Sequence, residues 1–341
     1  MDLSRLHVYL ACLAESARSV QAKAHPALNR MVVGRSFQSQ GANRGDGAVQ
    51  VLKLGRLLQS PGPRGPADWF PGAADPLRRR LWNRINSECD AVGMHLALAL
   101  CLLSQLYPLS TVGMELAGSP IADYGIAFGA APVVPRNTLI YLMEETPVTG
   151  QHAARHGWLY FTNTMGQTAT LDVCMNAFDC GLLVSTKGFW TGSTDSGSRP
   201  EHVPAVWRPD DKGDWYAETT RRTVLHHEGL LRAAELLAAV NDKARKQTEP
   251  VSVMQNEIIS RIGDFILELT GYRMRPDALH HIMQWAGVSA IHLAAVLRES
   301  RWYRWPDHAE IAFDYDPDNN DECTKLAKEF TAGQVASVAN S

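Results

Sequence analysis

Residues 2–26, DLSRLHVYLACLAESARSVQAKAHP, decide how the rest of the chain is read. Leu3, Leu6, Leu10, Leu13, Ala17 and Val20 recur at alternating spacings of three and four, which puts them on one face of a helix ending before His25-Pro26. Arg5, Glu15, Arg18 and Lys23 lie off that stripe. A helix with so narrow an apolar seam packs against another helix, in its own domain or in a neighbouring subunit. The stripe therefore predicts an N-terminal interaction helix over 1–26, with Leu3, Leu6, Leu10 and Leu13 at a subunit interface.

Outward from this helix, residues 27–74 read as an irregular Gly/Pro-rich segment. Val32 to Val49 is rich in Gly, Asn, Ser and Gln, and a short helical or extended piece follows at Val49 to Leu58. Ser60-Pro61-Gly62-Pro63-Arg64-Gly65-Pro66 and Pro71-Gly72 then exclude regular structure. Asp75-Pro76 offers an N-cap and a first-turn proline for a long helix running toward Tyr107-Pro108. Its Met94 to Leu106 stretch is the most hydrophobic run, too short to span a bilayer, and reads as a buried core helix.

A β-rich insert is expected over 132–208, with strands at Thr138 to Met143, Trp158 to Thr162, Ala169 to Cys174 and Leu182 to Thr186. Helices return at Thr219 to Lys246, at Ser252 to Thr270 before Gly271, and from Pro276 to Glu299. A strand at Ala309 to Tyr315 and a short helix at Asp321 to Phe330 close a main domain of 75–331, leaving a flexible tail at 332–341. The fold class is α+β, predominantly α-helical, with a small mixed or antiparallel β region.

Composition excludes several function classes. The 341 residues are 45% hydrophobic and 20% charged with a formal net charge of −3, an ordinary globular balance without the basic footprint of a dedicated nucleic-acid binder. The six cysteines are scattered, and the spacing of Cys174 and Cys180 fits no zinc knuckle, so a reduced, intracellular chain is expected. Arg5, His7, Glu15 and Arg18 interrupt the N-terminal apolar run and argue against a signal peptide.

No motif for catalysis, metal or cofactor is intact. Asp314, Asp316 and Asp318 open like a calcium loop, but Asn319 replaces the turn glycine and Lys325 the bidentate glutamate. Asp195-Ser196-Gly197 lacks the flanking strand and second copy of an aspartic protease, and Arg44-Gly45-Asp46 is three common residues in a glycine-rich stretch. His152 and His156 have helical i,i+4 spacing without the intervening glutamate of a zinc protease, and Gly157 ends any helix there. The pairs His226-His227 and His280-His281 diverge. Neither a cofactor nor a metal is expected.

Two clusters suggest contact surfaces. Arg78, Arg79, Arg80 and Arg84 form the densest positive patch, suited to RNA phosphates. Trp302, Tyr303 and Trp305, interleaved with Arg304, have the composition of interface anchors.

The organisation of N-terminal helix, apolar central helix at Pro76 to Leu106, Gly/Pro-rich excursions and β insert resembles the capsid proteins of small double-stranded RNA viruses of fungi, in the partitivirus, curvulavirus and totivirus group. The resemblance implies a dsRNA-virus capsid-like fold, and a structural protein of the virion and host cytoplasm rather than an enzyme. Its copies would assemble into an icosahedral shell of sixty quasi-symmetric dimers around the genome and its polymerase. Binding of RNA would be weak and without sequence specificity, with no membrane partner. Ser60 to Pro71 and Gly192 to Pro200 would adjust between the two conformers. Two alternatives stand beside it: an α+β enzyme using His152, His156, Asp172, His226 and His227, and a helical oligomeric scaffold.

Overall fold

A computed structural model describes residues 1–20, 25–39, 48–58, 68–88, 91–107, 113–133, 135–144, 146–178, 182–185, 189, 202–209, 216–246, 252–305 and 311–313. In chain order the elements are α1 (Leu3–Val20), β1 (Arg30–Ser39), β2 (Ala48–Leu57), α2 (Asp75–Asn86), α3 (Ala91–Leu106), β3 (Glu115–Leu116), β4 (Ser119–Ala130), β5 (Leu139–Met143) and β6 (Thr146–Thr149). They continue with β7 (His156–Asn163), β8 (Thr168–Asp172), β9 (Leu182–Ser185), β10 (His202–Pro204), β11 (Val206–Pro209), β12 (Ala217–Thr223), α4 (Glu228–Lys246), α5 (Ser252–Thr270), α6 (Pro276–Arg298) and β13 (Ile311–Phe313). Helices and sheets together make the fold α+β.

Helix α3 is the hub. It carries no charged residue, and all of its side chains except Gln105 are buried. A helix apolar all round is stable only when every face is covered. Here α1, α4 and α6 cover it on the helical side, and β4 and β7 cover the other. Gly93 permits the close approach of α6, since a Cβ there would meet Ile282 at 3.0 Å.

Helix α1 forms as expected. Asp2 caps it by accepting from the Ser4 amide at 2.7 Å, and the terminal ammonium donates to the Gly113 carbonyl at 2.7 Å. Its predicted interface role is corrected, however. Leu3, Leu6, Leu10 and Leu13 are fully buried in their own chain, and so are Val8, Tyr9, Ala11, Cys12 and Ala14 between them. The leucine stripe is one of two apolar faces, and the helix is wedged between α3, α6 and β10. It is a core element, not a separate interaction module.

Residues 30–57 are not irregular. Strands β1 and β2 pair antiparallel from Arg30↔Leu57 to Ser39↔Ala48, and β2 continues parallel to β5 with Gln50 opposite Leu139. Backbone pairing overrides the glycine- and serine-rich composition. The resulting mixed sheet, in order β1-β2-β5-β6, encloses a second core with α2, built on Val32, Leu52, Trp69, Trp82, Ile85 and Tyr141. Trp69 anchors it, with Nε1 donating to the Ala27 carbonyl at 2.9 Å and its ring edge-on to Trp82.

The single long helix predicted from Asp75 is two helices, α2 and α3, meeting at 71°. Among the described residues no single helix is long and apolar enough to cross a membrane. The predicted strands at 138–143, 158–162, 169–174 and 182–186 correspond to β5, β7, β8 and β9. The β portion is nevertheless larger than 132–208. Strands β3 and β4 precede it, and β12 occupies residues read as the start of a helix, with α4 beginning only at Glu228. An antiparallel sheet runs β11-β8-β7-β4-β12, and a smaller one β10-β9-β13. Helices α5 and α6 keep their predicted limits, α5 stopped by Gly271 at φ +77°. The calcium-like loop, the Asp195 and Arg44 tripeptides, Gly192 to Pro200, the helix at 321–330 and the tail at 332–341 lie outside the described residues, as does most of Ser60 to Pro71.

Candidate functional site

A buried convergence of polar side chains lies where β8 ends. β7 and β8 pair with Leu159 opposite Leu171, both facing the α3 core. Alternation along each strand turns His156 and Asp172 away from that face. Gly157, where a Cβ would meet Val92 at 2.9 Å, lets the start of α3 settle on β7, and so brings His95 to the end of β8.

Asp172 is the centre. Its Oδ2 accepts from His156 Nε2 at 2.6 Å and from the Tyr216 hydroxyl at 2.9 Å. Its Oδ1 accepts from the Cys174 amide at 2.8 Å and lies 3.6 Å from His95 Nε2. His95 Nδ1 donates to the Ala91 carbonyl at 2.6 Å, which fixes Nε2 as the acceptor of the Val173 amide at 3.0 Å. Arg18 arrives from α1, donating to the Val173 carbonyl at 2.8 Å, to Cys174 Sγ at 3.2 Å and to Glu15 at 2.9 Å. His95, His156, Asp172 and Cys174 are fully buried. His156 stacks parallel to Tyr216, and its buried Nδ1 has no hydrogen-bond partner among the described residues.

Burial disfavours every charge here, and the partners decide which survive. It pushes His95 down to about 4, against the pull of Asp172, so His95 is neutral. It pushes Asp172 up, but His156, His95 and the Cys174 amide outweigh it and hold the carboxyl below its ordinary value. Burial also opposes the Arg18 charge, and Cys174 with Glu15 restores it.

Of the residues nominated for an enzyme, only His156 and Asp172 meet. His152 accepts from the Ala154 amide at 3.3 Å and caps the 3-10 turn Ala153–Arg155, so no helix joins it to His156. His226 contacts the Ala122 carbonyl at 2.9 Å. His227 accepts from the Leu230 amide at the start of α4 and lies 3.5 Å from Glu268. Three partners of Asp172 escaped sequence reasoning, His95, Cys174 and Tyr216, and so did Arg18, which reaches the adjoining Val173 carbonyl and Cys174 Sγ. The available signals were a lone histidine in an otherwise apolar run and a buried arginine near the end of an apolar helix.

The arginine patch divides. Arg84 is buried, donating to the Ala177 carbonyl at 3.1 Å and the Asn137 carbonyl at 2.5 Å, so it tethers α2 and is withdrawn from any RNA phosphate. Arg78 and Arg80 are half-buried, and the Arg79 side chain lies outside the described residues. The aromatic cluster divides too. Trp305 is buried against Tyr9 and Phe189, which makes it a core residue. Trp302 stacks on Tyr303 at 3.6 Å, and Tyr303 is 66% exposed.

Comparisons with protein-family models, curated proteins and solved structures find no match.

Proposed function

We propose that the chain is a coat protein whose many copies form a closed icosahedral shell around a double-stranded RNA genome and its polymerase, in the virion and the host cytoplasm. The predominantly helical, dsRNA-capsid-like reading of the fold, with quasi-symmetric dimers as the building unit, belongs to the same proposal. One observation carries it. Among the described residues strand β1 is the last of its sheet, and beyond Val32, whose amide donates to the Trp69 carbonyl at 2.6 Å, it exposes Val33 and Phe37, 49% and 45% accessible. A long bordering strand with apolar side chains outward is a template for pairing with a second chain. A shell subunit needs contacts in several directions, and Val148, Leu231, Ile291 and Tyr303 place further exposed apolar side chains on β6, on α4, on α6 and after α6. The near-neutral net charge of −3 suits a container that holds RNA loosely.

A His/Asp-centred enzyme is the second reading, favoured by the 2.6 Å contact of His156 with Asp172. Negative-stain microscopy with size-exclusion light scattering on the purified chain separates the two. Closed particles of uniform diameter are expected; a monodisperse monomer or dimer at all concentrations would overturn the coat reading.

A further inference from the structure

We propose that His95, Asp172 and Cys174 form a binding site for one divalent transition-metal ion of the zinc class. Their donor atoms, one imidazole nitrogen, one carboxylate oxygen and one sulfur, lie within 4.8 Å of one another. Donors bound to one tetrahedral zinc sit roughly 3.3–3.8 Å apart, given bond lengths of about 2.0–2.3 Å. The 3.6 Å between His95 Nε2 and Asp172 Oδ1 is such a separation, too long for a hydrogen bond. A mixed nitrogen, oxygen and sulfur set selects zinc-like ions over magnesium or calcium, which prefer oxygen alone.

The surroundings are those of a supported site. Each donor is held from behind by a group that leaves its ligating atom turned inward. The Ala91 carbonyl takes the Nδ1 proton of His95, so the lone pair is on Nε2, where it accepts from the Val173 amide at 3.0 Å. His156 and Tyr216 occupy the outer oxygen of Asp172, and Oδ1, which accepts from the Cys174 amide at 2.8 Å, faces His95 at 3.6 Å. Arg18 donates to Cys174 Sγ at 3.2 Å and holds the sulfur in place beside His95 and Asp172.

Binding exchanges the thiol proton of Cys174, released to solvent, for a metal–sulfur bond. The Val173 amide gives up the His95 lone pair in the same step, and one hydrogen bond is replaced by three coordinate bonds. The ion would clamp α3 to the end of β8, with α1 held through Arg18. This site is independent of the coat reading, since it needs neither assembly nor RNA.

The test uses the full chain, purified under reducing conditions, with zinc and cobalt(II) as probes. Metal analysis is expected to find one zinc equivalent per chain, bound on purification or taken up after chelation. Cobalt(II) is expected to give a thiolate charge-transfer band that Cys174→Ser abolishes and Cys101→Ala, which removes a different buried thiol, preserves. His95→Gln should lose the stoichiometric zinc, and His156→Gln should weaken it by roughly 10- to 100-fold. Folded wild-type chain that binds no equivalent of either metal overturns the proposal without recourse to any variant. So does a cobalt band unchanged in Cys174→Ser.

Discussion

His156 Nε2 lies 2.6 Å from Asp172 Oδ2, and this contact joins two adjacent antiparallel strands with both side chains fully out of solvent. The carboxylate is fully buried and depends on its protein donors. Replacing Asp172 by Asn keeps the shape but removes the charge that His156, Tyr216 and the Cys174 amide address. Breaking a buried ionic network from one side costs about 3–5 kcal/mol. Chemical denaturation of Asp172→Asn should show a loss of that order; a loss below about 1 kcal/mol would place the carboxyl in a surface-like environment.

Arg84 makes a second prediction. Its buried guanidinium satisfies the carbonyls of Asn137 and Ala177, linking α2 to the turns that flank the sheets. Leaving two buried acceptors unpaired costs about 1–3 kcal/mol each. Arg84→Met should therefore unfold at clearly lower denaturant. Wild-type stability in the variant would show that the side chain faces solvent.

Removing residues 1–20 tests the placement of α1. A peripheral interaction helix can be deleted without unfolding the rest, but α1 fills the space between α3 and α6. The truncated chain should be insoluble or molten, with loss of near-ultraviolet circular dichroism. Leu10→Ala alone should cost about 2–5 kcal/mol, the range for a large-to-small change in a sealed core. A soluble, cooperatively folding truncation would return α1 to the surface.

What was legible in the sequence follows from where the signals are local. Gly271 and Pro276 punctuate α5 and α6 in the backbone itself, and their limits were read correctly. β7 and β8 are short apolar runs with clear stops, and they too were readable. β1 and β12 were not: RMVVGRSFQS and AETTRRT have compositions of loop and helix, and become strands by pairing with β2 and β4. The α1 stripe is legible in the leucine spacing, but the burial of Val8, Ala11 and Cys12 on its second face depends on packing by distant elements. A third of the six-residue polar cluster is legible as well, in His156 and Asp172. His95 lies 78 residues from the Val173 amide it receives, and only the settling of α3 on Gly157 brings the two together.

Two buried groups give stability opposite pH slopes. Burial pushes His7, stacked on Trp207, down to about 4, so the fold prefers it neutral. Its contribution is complete above its ordinary value of 6.5 and is lost as pH falls toward 4. Burial raises Glu88, 3.6 Å from His25 and near Arg84 and Tyr141, to about 7, so the fold prefers it protonated. That contribution is complete below 4.5 and is lost as pH rises through 7. Each shift corresponds to roughly 3 kcal/mol across its window. Relative to wild type, Glu88→Gln should gain stability between pH 5 and pH 8, and His7→Gln should gain as pH drops from 6.5 to 4. Parallel stability curves for all three chains would show that neither group is sealed.

The bordering strand supplies the prediction on which the coat reading turns. Val33 and Phe37 are exposed, so exchanging them costs the folded chain little, within about 0.5 kcal/mol for an ordinary surface site. Lysine on a bordering strand is the residue that blocks strand pairing between chains, because approach of a second backbone would bury its charge. Val33→Lys and Phe37→Lys should keep the wild-type circular dichroism and melting transition while shifting light-scattering mass from closed particles to small species. Met165→Lys, exposed in the turn between β7 and β8, is the matched control and should still assemble. Particles that form unchanged in both β1 variants would move the contact elsewhere, and the strand would lose its claim as the surface that joins one copy to the next.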